Sequence, residues 1–272
     1  MLPLHQGIVY GPVRSRRLGQ SLGINILPRH QKICTFNCSY CQYGWTRNYP
    51  SGATSSADAW PDPDVVALSV GAALERLKYH GEHVDRLTLA GHGEPTLHPQ
   101  FPDVVDALLR VRDEVAPGLP LAILSNSSTL ASPAVTAALE RIDQRYMKLD
   151  AGDATLLRRV NAATVPFDQI VEGLRQLPHI VIQTMFVRDR LGRIDNAGDL
   201  AVSAWITTVS AIRPDAVHIY TIDRAPAWPY LQPIAATRLH DIARRAQAVG
   251  LTADAFAAPG EAAMPGCATE RK

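Results

Sequence analysis

The chain has 272 residues, of which 46% are hydrophobic and 19% charged, with a formal net charge of +1 at pH 7. This length and apolar fraction predict one domain over residues 1–258, followed by a loose tail over residues 259–272 that is rich in small residues. Four cysteines, three of them clustered, exclude the paired framework of a small secreted protein, and no stretch is apolar for long enough to cross a bilayer, so we expect a cytoplasmic protein with no membrane partner.

Apolar, strand-like runs recur along the chain at intervals of roughly 30 to 35 residues, the length of a βα unit. Six of them are predicted as strands, over residues 21–27, 86–91, 121–127, 145–152, 179–187 and 216–223. Helical periodicity predicts the segments between them. Two of the predicted helices begin at Asp62-Pro63 and at Ser132-Pro133. Three more are predicted over residues 167–177, 199–212 and 237–249. This order of strand then helix predicts an α/β fold with a parallel sheet and outer helices.

Six such units can form a flat doubly wound sheet or a curved, incomplete (βα) barrel. In YMKLD, alternation places Lys148 and Asp150 on one face of a strand and Met147 and Leu149 on the other. Polar groups at the carboxyl ends of parallel strands suit the mouth of a barrel, which favours the curved form. A buried ion pair between Lys148 and Asp150 with no further role is the alternative interpretation.

Three of the four cysteines lie within the segment CTFNCSYC, residues 34–41. Structural zinc takes four closed ligands, usually as two separated pairs, and the chain has no second pair. A cube-shaped [4Fe-4S] cluster held by Cys34, Cys38 and Cys41 would instead keep one iron free for another ligand. Cys267 is expected to be an exposed thiol, with a remote fourth ligand as the alternative.

The C-x3-C-x2-C segment, with an aromatic residue just before its third cysteine, resembles the signature of the radical S-adenosylmethionine (SAM) enzymes. One strand later, GHGEP at residues 91–95 is similar to the GGEP-type motif of that superfamily. Together, YGPVRSRRLGQSLGIN, GHGEPTLHP, MKLDAGD and YTIDRAPA resemble the group that includes the wyosine-type tRNA-modifying synthases, over roughly residues 7–250. The second-cluster cysteines of the full synthases have no counterpart here. The resemblance implies a partial (βα)6 TIM-like barrel of the radical SAM type.

The resemblance also implies a SAM site at the strand ends. The methionine end of SAM would lie against GHGEP, where glycines let the backbone approach a ligand and Glu94 can accept from an ammonium group. The strand endings SNSS and KLDA would contact the SAM carboxylate and ribose, although capping of the following helices is the other interpretation. The ring of Tyr40 would lie near the adenine of SAM, or would simply pack beside the loop. The residues implied are Tyr40, Gly91, Gly93, Glu94, Ser125, Asn126 and Asp150.

The implied activity is reductive cleavage of SAM to a 5'-deoxyadenosyl radical, which abstracts hydrogen from an unidentified substrate, a small molecule or an RNA such as a tRNA base. Catalytic residues stay unassigned. Because no flavodoxin-like reductase segment is recognisable, an external one-electron reductant such as flavodoxin or ferredoxin is expected. The alternative is an iron-sulfur or zinc protein with a structural or sensing metal site, RNA-binding or not. A near-neutral chain with 6% aromatic residues gives an RNA-binding protein little support, and GHGEP has no purpose in a metal or redox sensor.

Charge is unevenly distributed, because residues 1–57 contain no Asp or Glu. Arg16 and Arg17 are therefore candidates to bind a phosphate-bearing substrate or to balance an anionic cluster, with a solvated basic stretch as the alternative. Arg224 follows the last predicted strand and is expected at the barrel mouth, which makes it a third candidate for substrate contact.

Overall fold

A computed structural model describes residues 1–46 and 60–258 of the chain. Its strands are β1 Val9–Ser15, β2 Gly19–Ile24, β3 Arg86–Leu89, β4 Leu121–Ser125, β5 Gln144–Lys148, β6 Ile180–Met185, β7 Val187–Asp189, β8 Ala216–Tyr220, β9 Leu231–Pro233 and β10 Ala253–Phe256. Its α-helices are α1 Pro63–His80, α2 Phe101–Val115, α3 Pro133–Glu140, α4 Ala154–Asn161, α5 Phe167–Gln176, α6 Asp199–Ile212 and α7 Ala236–Gln247.

Eight strands form one curved, open sheet in the order β1-β2-β3-β4-β5-β6-β8-β10. Seven of them run parallel, and β1 pairs antiparallel with β2 at one edge. Strands β7 and β9 form a separate antiparallel pair. The predicted α/β partial barrel is confirmed, with one more parallel strand, β10, than the six that were predicted.

The six predicted strands are all present, and most of them end before their predicted limits because the last polar residues form loops above the sheet. Strand β1 was not predicted, since its Gly11-Pro12 pair is typical of a turn. Proline lacks a donor for the ladder, and an edge strand with a register shift between Tyr10 and Val13 tolerates it. Helices α2 and α4 were also missing from the prediction.

Local sequence accounts for the helix limits. In α1, the Asp62 carboxylate accepts from the backbone N–H of Asp64, Pro63 occupies the first turn, and Gly81 ends the helix in a left-handed conformation with φ 65°. No helix within residues 1–46 and 60–258 is long and apolar enough to span a membrane.

The two faces of the sheet differ in polarity. The outer face packs under the helices and is fully buried, with Leu87, Leu89, Ile123, Met147, Ile182 and Ile219 among its residues. The inner face carries polar side chains instead, as the alternation of a strand requires. These inner-face residues include Arg86, Thr88, Gln144, Tyr146, Lys148, Gln183, His218 and Tyr220.

The turn between β1 and β2 reaches across this inner face, and we call its residues 16–18 the hairpin tip. Leu18 packs against Ala122 of β4 and Tyr146 of β5. The Arg17 guanidinium lies 3.7 Å from the centre of the Tyr220 ring of β8. The hairpin tip therefore contacts strands on both halves of the partial barrel. The division into a domain over residues 1–258 and a tail stays a prediction, and the tail lies outside the described residues.

Candidate functional site

The cysteine loop, residues 34–41, follows β2 and is attached to the C-terminus of α4. The backbone N–H groups of Asn37 and Ser39 donate to the carbonyls of Asn161 and Val160, each at 2.8 Å. Carbonyls in the last turn of a helix have no partner within the helix, so the loop satisfies them. Within the loop, the Cys41 N–H donates to the Cys38 carbonyl at 3.0 Å. The end of a short helix thus fixes where the loop lies.

All three loop cysteines are free thiols, with Cys34 buried and Cys38 and Cys41 half-buried. Two side-chain amides donate to their sulfurs: Asn126 Nδ2 lies 3.5 Å from Cys34 Sγ, and Asn161 Nδ2 lies 3.2 Å from Cys38 Sγ. Asn126 was among the predicted site residues. Asn161 was not, because it ends a helix that was itself not predicted and a lone Asn carries no recognisable signal.

Burial disfavours the thiolate form of these cysteines. It is the main cause that raises the pKa of Cys38 to about 11, with the neighbouring Cys41 sulfur second. Burial likewise raises the pKa of Cys34 well above that of an ordinary thiol, and Cys38 adds to the effect. A bound metal centre replaces these protons with positive charge, which is how buried cysteines become thiolates in metal sites.

Cysteine thiolates are the usual protein ligands of iron-sulfur clusters. In a cube-shaped cluster each thiolate binds a different iron, so the sulfurs stand apart around it. Three free cysteines on one loop, two of them with amide donors at sulfur, fit such a cluster.

The GHGEP segment packs directly on the residue before the first cysteine. The Glu94 N–H donates to the Ile33 carbonyl at 3.0 Å. Gly93 lies so close to that carbonyl that a side-chain carbon would overlap its oxygen. Close approach therefore requires glycine at position 93, as the motif suggested. Between these glycines, buried His92 lies 2.7 Å through Nε2 from the Pro28 carbonyl, as expected of a hydrogen-bonded core residue.

Glu94 is buried, and its carboxylate connects GHGEP to the end of β4. One oxygen accepts from the N–H and the hydroxyl of Thr96, at 3.1 and 2.6 Å, and the other accepts from the Asn126 N–H at 2.6 Å. Burial raises the pKa of Glu94, while these donors oppose the shift. Ser125, also buried, accepts from the Ser127 N–H at 3.1 Å. The structure thus brings Glu94, Ser125 and Asn126 together beside Cys34.

A second polar group lies at the end of β5. The Asp150 carboxylate accepts from the Tyr40 hydroxyl, from Asn161 Nδ2 at 2.7 Å and from the Met185 N–H at 2.8 Å. Lys148 Nζ lies 3.1 Å from the same carboxylate. We call Tyr40, Asp150 and Asn161 the polar triad. It joins Cys38 to the strand ends, and the buried ion pair considered from the sequence is therefore only one part of a larger network.

The protonation of this network follows from its contacts. Burial alone would lower the pKa of Lys148, but the Asp150 carboxylate and the Tyr220 hydroxyl, 2.8 Å away, raise it above its usual range. Burial, and then the Asp150 charge, raises the pKa of Tyr40. Lys148 is thus a cation and Tyr40 a neutral hydrogen-bond donor.

The predicted arginines take different positions. Arg16 is exposed and forms an ion pair with Asp223 at 2.8 Å. Arg17 donates to Gln183 Oε1 at 2.8 Å on the inner face of the barrel. Arg224 is exposed and donates to Gln42 Oε1 at 2.7 Å, next to Cys41. All three therefore lie around the barrel, two of them in direct contact with loops at its mouth. Cys267 lies outside the described residues.

A cavity of about 520 Å³ opens beside the cysteine loop. Asn37 and Ser39, which flank Cys38, form part of its wall. Two tryptophans and two arginines complete much of the remainder, namely Trp45, Trp228, Arg159 and Arg193. The cavity therefore reaches residues on both sides of Cys38.

A model of the radical SAM superfamily matches residues 29–187, which are more than half of the chain and include the cysteine loop, GHGEP and the strands and helices from α1 to β6. The chain belongs to the radical SAM superfamily. Superfamily members typically use a [4Fe-4S] cluster with SAM, and generally need an electron donor and a substrate. The chain is accordingly a radical SAM enzyme, as its motifs indicated.

Two curated relatives carry names that differ. The UPF0026 protein MJ1312 of Methanocaldococcus jannaschii is 30% identical over 233 residues, which cover 83% of this chain and 67% of the relative. A Brachyspira hyodysenteriae protein named GTPase Obg is 28% identical over 218 residues, which cover 79% of this chain. The chain spans only 30% of that second relative's length.

Solved radical SAM structures share the fold. A radical SAM methyltransferase from Sphaerobacter thermophilus superposes with a TM-score of 0.65 and 14% identity, covering 88% of this chain and 67% of its own. Archaeal TYW1, a wyosine synthase, superposes with a TM-score of 0.50 and 14% identity, covering 83% and 70%. At such identities the likeness concerns the fold alone, and it includes the group that the sequence resembled.

Proposed function

We propose that Cys34, Cys38 and Cys41 hold a [4Fe-4S] cluster whose open iron binds SAM, and that the enzyme removes a hydrogen atom from a substrate. When bound, the cluster supplies the electron that cleaves SAM into methionine and a 5'-deoxyadenosyl radical. The observation that carries this proposal is the cysteine loop itself, which presents three free thiols and receives amide donors at two of its sulfurs.

The remaining predicted residues are proposed to hold SAM at the strand ends. Gly91 and Gly93 let the backbone of GHGEP pack closely against Asn25 and Ile33, and their own backbone groups are proposed to meet the methionine end. The Glu94 carboxylate, next to them, can accept from its ammonium group. Ser125 and Asn126 lie beside Glu94 and Cys34, where polar contacts to SAM would be short.

Asp150 and Tyr40 are proposed at the adenosine end. Asp150 already accepts from three donors and pairs with Lys148, so ribose hydroxyls would replace one of these partners. Tyr40 is held by its hydroxyl in the polar triad, which fixes the orientation of its ring beside the cysteine loop. Together these residues would orient SAM and exclude water from the reacting atoms.

The substrate and the electron donor are proposed by class. An external one-electron reductant such as flavodoxin or ferredoxin would supply the cluster. Arg16, Arg17 and Arg224 would contact the substrate, a small molecule or an RNA such as a tRNA base, since cations around the barrel suit an anionic group.

Purification without oxygen tests the proposal. The protein should contain about four irons and four sulfides per chain. With a strong one-electron reductant it should convert SAM into 5'-deoxyadenosine. Cys38→Ala should abolish both the cluster and the cleavage, whereas the matched variant Cys267→Ala should keep both. A colourless protein that leaves SAM intact would contradict the proposal and support a structural or sensing metal site.

A further inference from the structure

The inner face of the sheet carries a row of polar side chains below the polar triad. In the parallel register, Lys148 of β5 lies beside Gln183 of β6, and Gln183 lies beside His218 of β8. Arg17 reaches this row from the hairpin tip, and Arg86 reaches the inner face from the start of β3. We call Arg17, Arg86, Gln183 and His218 the inner-face pocket.

The two arginines of the pocket contact neutral groups. Arg17 donates to Gln183 Oε1 and stacks on the Tyr220 ring, and Arg86 donates to the Tyr146 hydroxyl at 2.9 Å and to the Gln144 amide oxygen. Within the described residues, no carboxylate lies at ion-pair distance from either guanidinium. A guanidinium in a half-buried site is most stable opposite an anion, because its planar fork can form two parallel hydrogen bonds to a carboxylate or phosphate of opposite charge.

Buried polar atoms of the pocket also lack partners. Gln183 is 3% exposed, and its Nε2 amide makes no hydrogen bond within the described part of the chain, although its Oε1 accepts from Arg17. His218 Nδ1 and Arg86 Nε are buried and unpartnered in the same way. A buried donor without a partner destabilises the folded state, because it has lost its hydrogen bonds to water. Two of these three atoms can only donate, so the missing partner is an acceptor.

The charge state of His218 agrees with a site that is already positive. Burial, and then the neighbouring Arg17, lowers its pKa to about 4, with Arg86 acting in the same direction and Asp254 opposing. Neutral imidazole can still donate one N–H. The pocket therefore holds two cations and several free donors on one face of the barrel.

We propose that the inner-face pocket binds the anionic group, a carboxylate or a phosphate, of the enzyme's substrate. Assigning the anion to the substrate rests on the proposed function, whereas the anion site itself does not. Lys148 connects the two regions, because it lies beside Gln183 in the sheet and its ammonium pairs with Asp150 of the polar triad. A substrate held by its anion in the pocket would thus extend toward the polar triad and the cysteine loop.

Calorimetric titration of the anaerobically purified, cluster-loaded enzyme tests the pocket. Inorganic phosphate and malonate are the probes. Tighter binding of phosphate would indicate that the natural ligand carries a phosphate, and tighter binding of malonate that it carries a carboxylate. Arg17→Gln and Arg86→Gln should each weaken the tighter probe by at least about tenfold, the equivalent of one charge-assisted hydrogen bond. Arg110→Gln removes the same charge from an exposed position on α2 and should stay within about twofold of the unchanged enzyme.

Gln183→Glu adds a test that does not depend on losing a contact. The new carboxylate is nearly isosteric and places an anion where the ligand's anion is proposed, beside Arg17. It should abolish binding of both probes, whereas a merely hydrated polar interior would bind neither probe saturably even in the unchanged enzyme.

The pocket is refuted if neither probe binds saturably, or if Arg17→Gln and Arg86→Gln bind the probes as tightly as Arg110→Gln. Formation of 5'-deoxyadenosine is measured on the same preparations. Loss of anion binding in an enzyme that cleaves SAM would overturn only the pocket. Specific anion binding in a protein that leaves SAM intact would overturn only the proposed function.

Discussion

The side-chain amide of Asn161 meets three groups from two separate parts of the chain, the cysteine loop and the end of β5. Its Nδ2 lies 3.2 Å from Cys38 Sγ, 2.9 Å from the Tyr40 hydroxyl and 2.7 Å from the Asp150 carboxylate. Its Oδ1 is buried without a partner within the described residues. A residue with this many contacts next to a proposed metal ligand is expected to act on the properties of the metal as well as on the fold.

Replacing Asn161 with alanine should lower the reduction potential of the cluster. An N–H donor at a thiolate sulfur withdraws charge and so favours the reduced cluster, and its loss favours the oxidised one. A redox titration followed by electron paramagnetic resonance measures the shift. The control is Gln176→Ala, which removes an exposed amide bonded to Glu172. Equal potentials in the two variants would show that the contact to sulfur has no electronic effect.

Among the elements, the cysteine loop depends on neighbours that are far away in sequence. GHGEP supports it at Ile33, the end of β4 contacts Cys34 through Asn126, and α4 holds Asn37 and Ser39. None of these contacts is within the loop itself. Its shape is therefore set by the ends of β3, β4 and α4.

Gly93→Ala tests this support. The added methyl group would overlap the Ile33 carbonyl oxygen, which is backbone and cannot turn aside. We expect a loss of roughly 1–3 kcal/mol in the free energy of unfolding, and a lower iron content. The matched change Gly198→Ala has room for its methyl group and should alter neither. Urea unfolding and iron analysis provide the measurements, and normal iron content in Gly93→Ala would show that the loop tolerates displacement.

The sequence predicted those elements whose signal is local. Alternation and turn residues revealed the six parallel strands, and the Asp62-Pro63 pair marked the start of α1. Strand β1 was not predicted because Gly11-Pro12, which an edge strand tolerates, is more typical of a turn. Helix α4 was not predicted because its eight residues are too few to show a clear helical period. Asn161, Gln183 and Arg86 could not be found, since their importance arises only where distant strands meet. The motif residues Glu94 and Asn126 were found because they belong to short, recognisable segments.

At the scale of the whole molecule, the cysteine loop, which is the proposed metal site, connects both halves of the described structure. The cysteine loop joins the end of β2 to α4 and, through the polar triad, to β5 and β6. Helices α1 and α7 take no part in these contacts. Cluster binding should therefore stabilise one region of the molecule more than another.

Hydrogen exchange can map that region. Removing the cluster should accelerate exchange of the backbone amides in residues 34–46 and in the last turn of α4, because these segments bond to each other. Amides of α1 should exchange at an unchanged rate. Mass spectrometry of the cluster-loaded and cluster-free proteins measures both. Uniform acceleration across the chain would indicate that the cluster stabilises the fold as one unit.

The hairpin tip separates the residues proposed to bind the substrate from those proposed to hold the cluster. Arg17 and Leu18 contact side chains in the hollow of the sheet, whereas every thiol of the cysteine loop follows β2 and lies beyond the strands' other ends. A change in the length of this turn, or substitution of its side chains, would reshape the interior and leave the three thiols in place. New substrate preferences can therefore arise by substitutions in the β1-β2 hairpin at the edge of the sheet, while the cysteine loop stays the same.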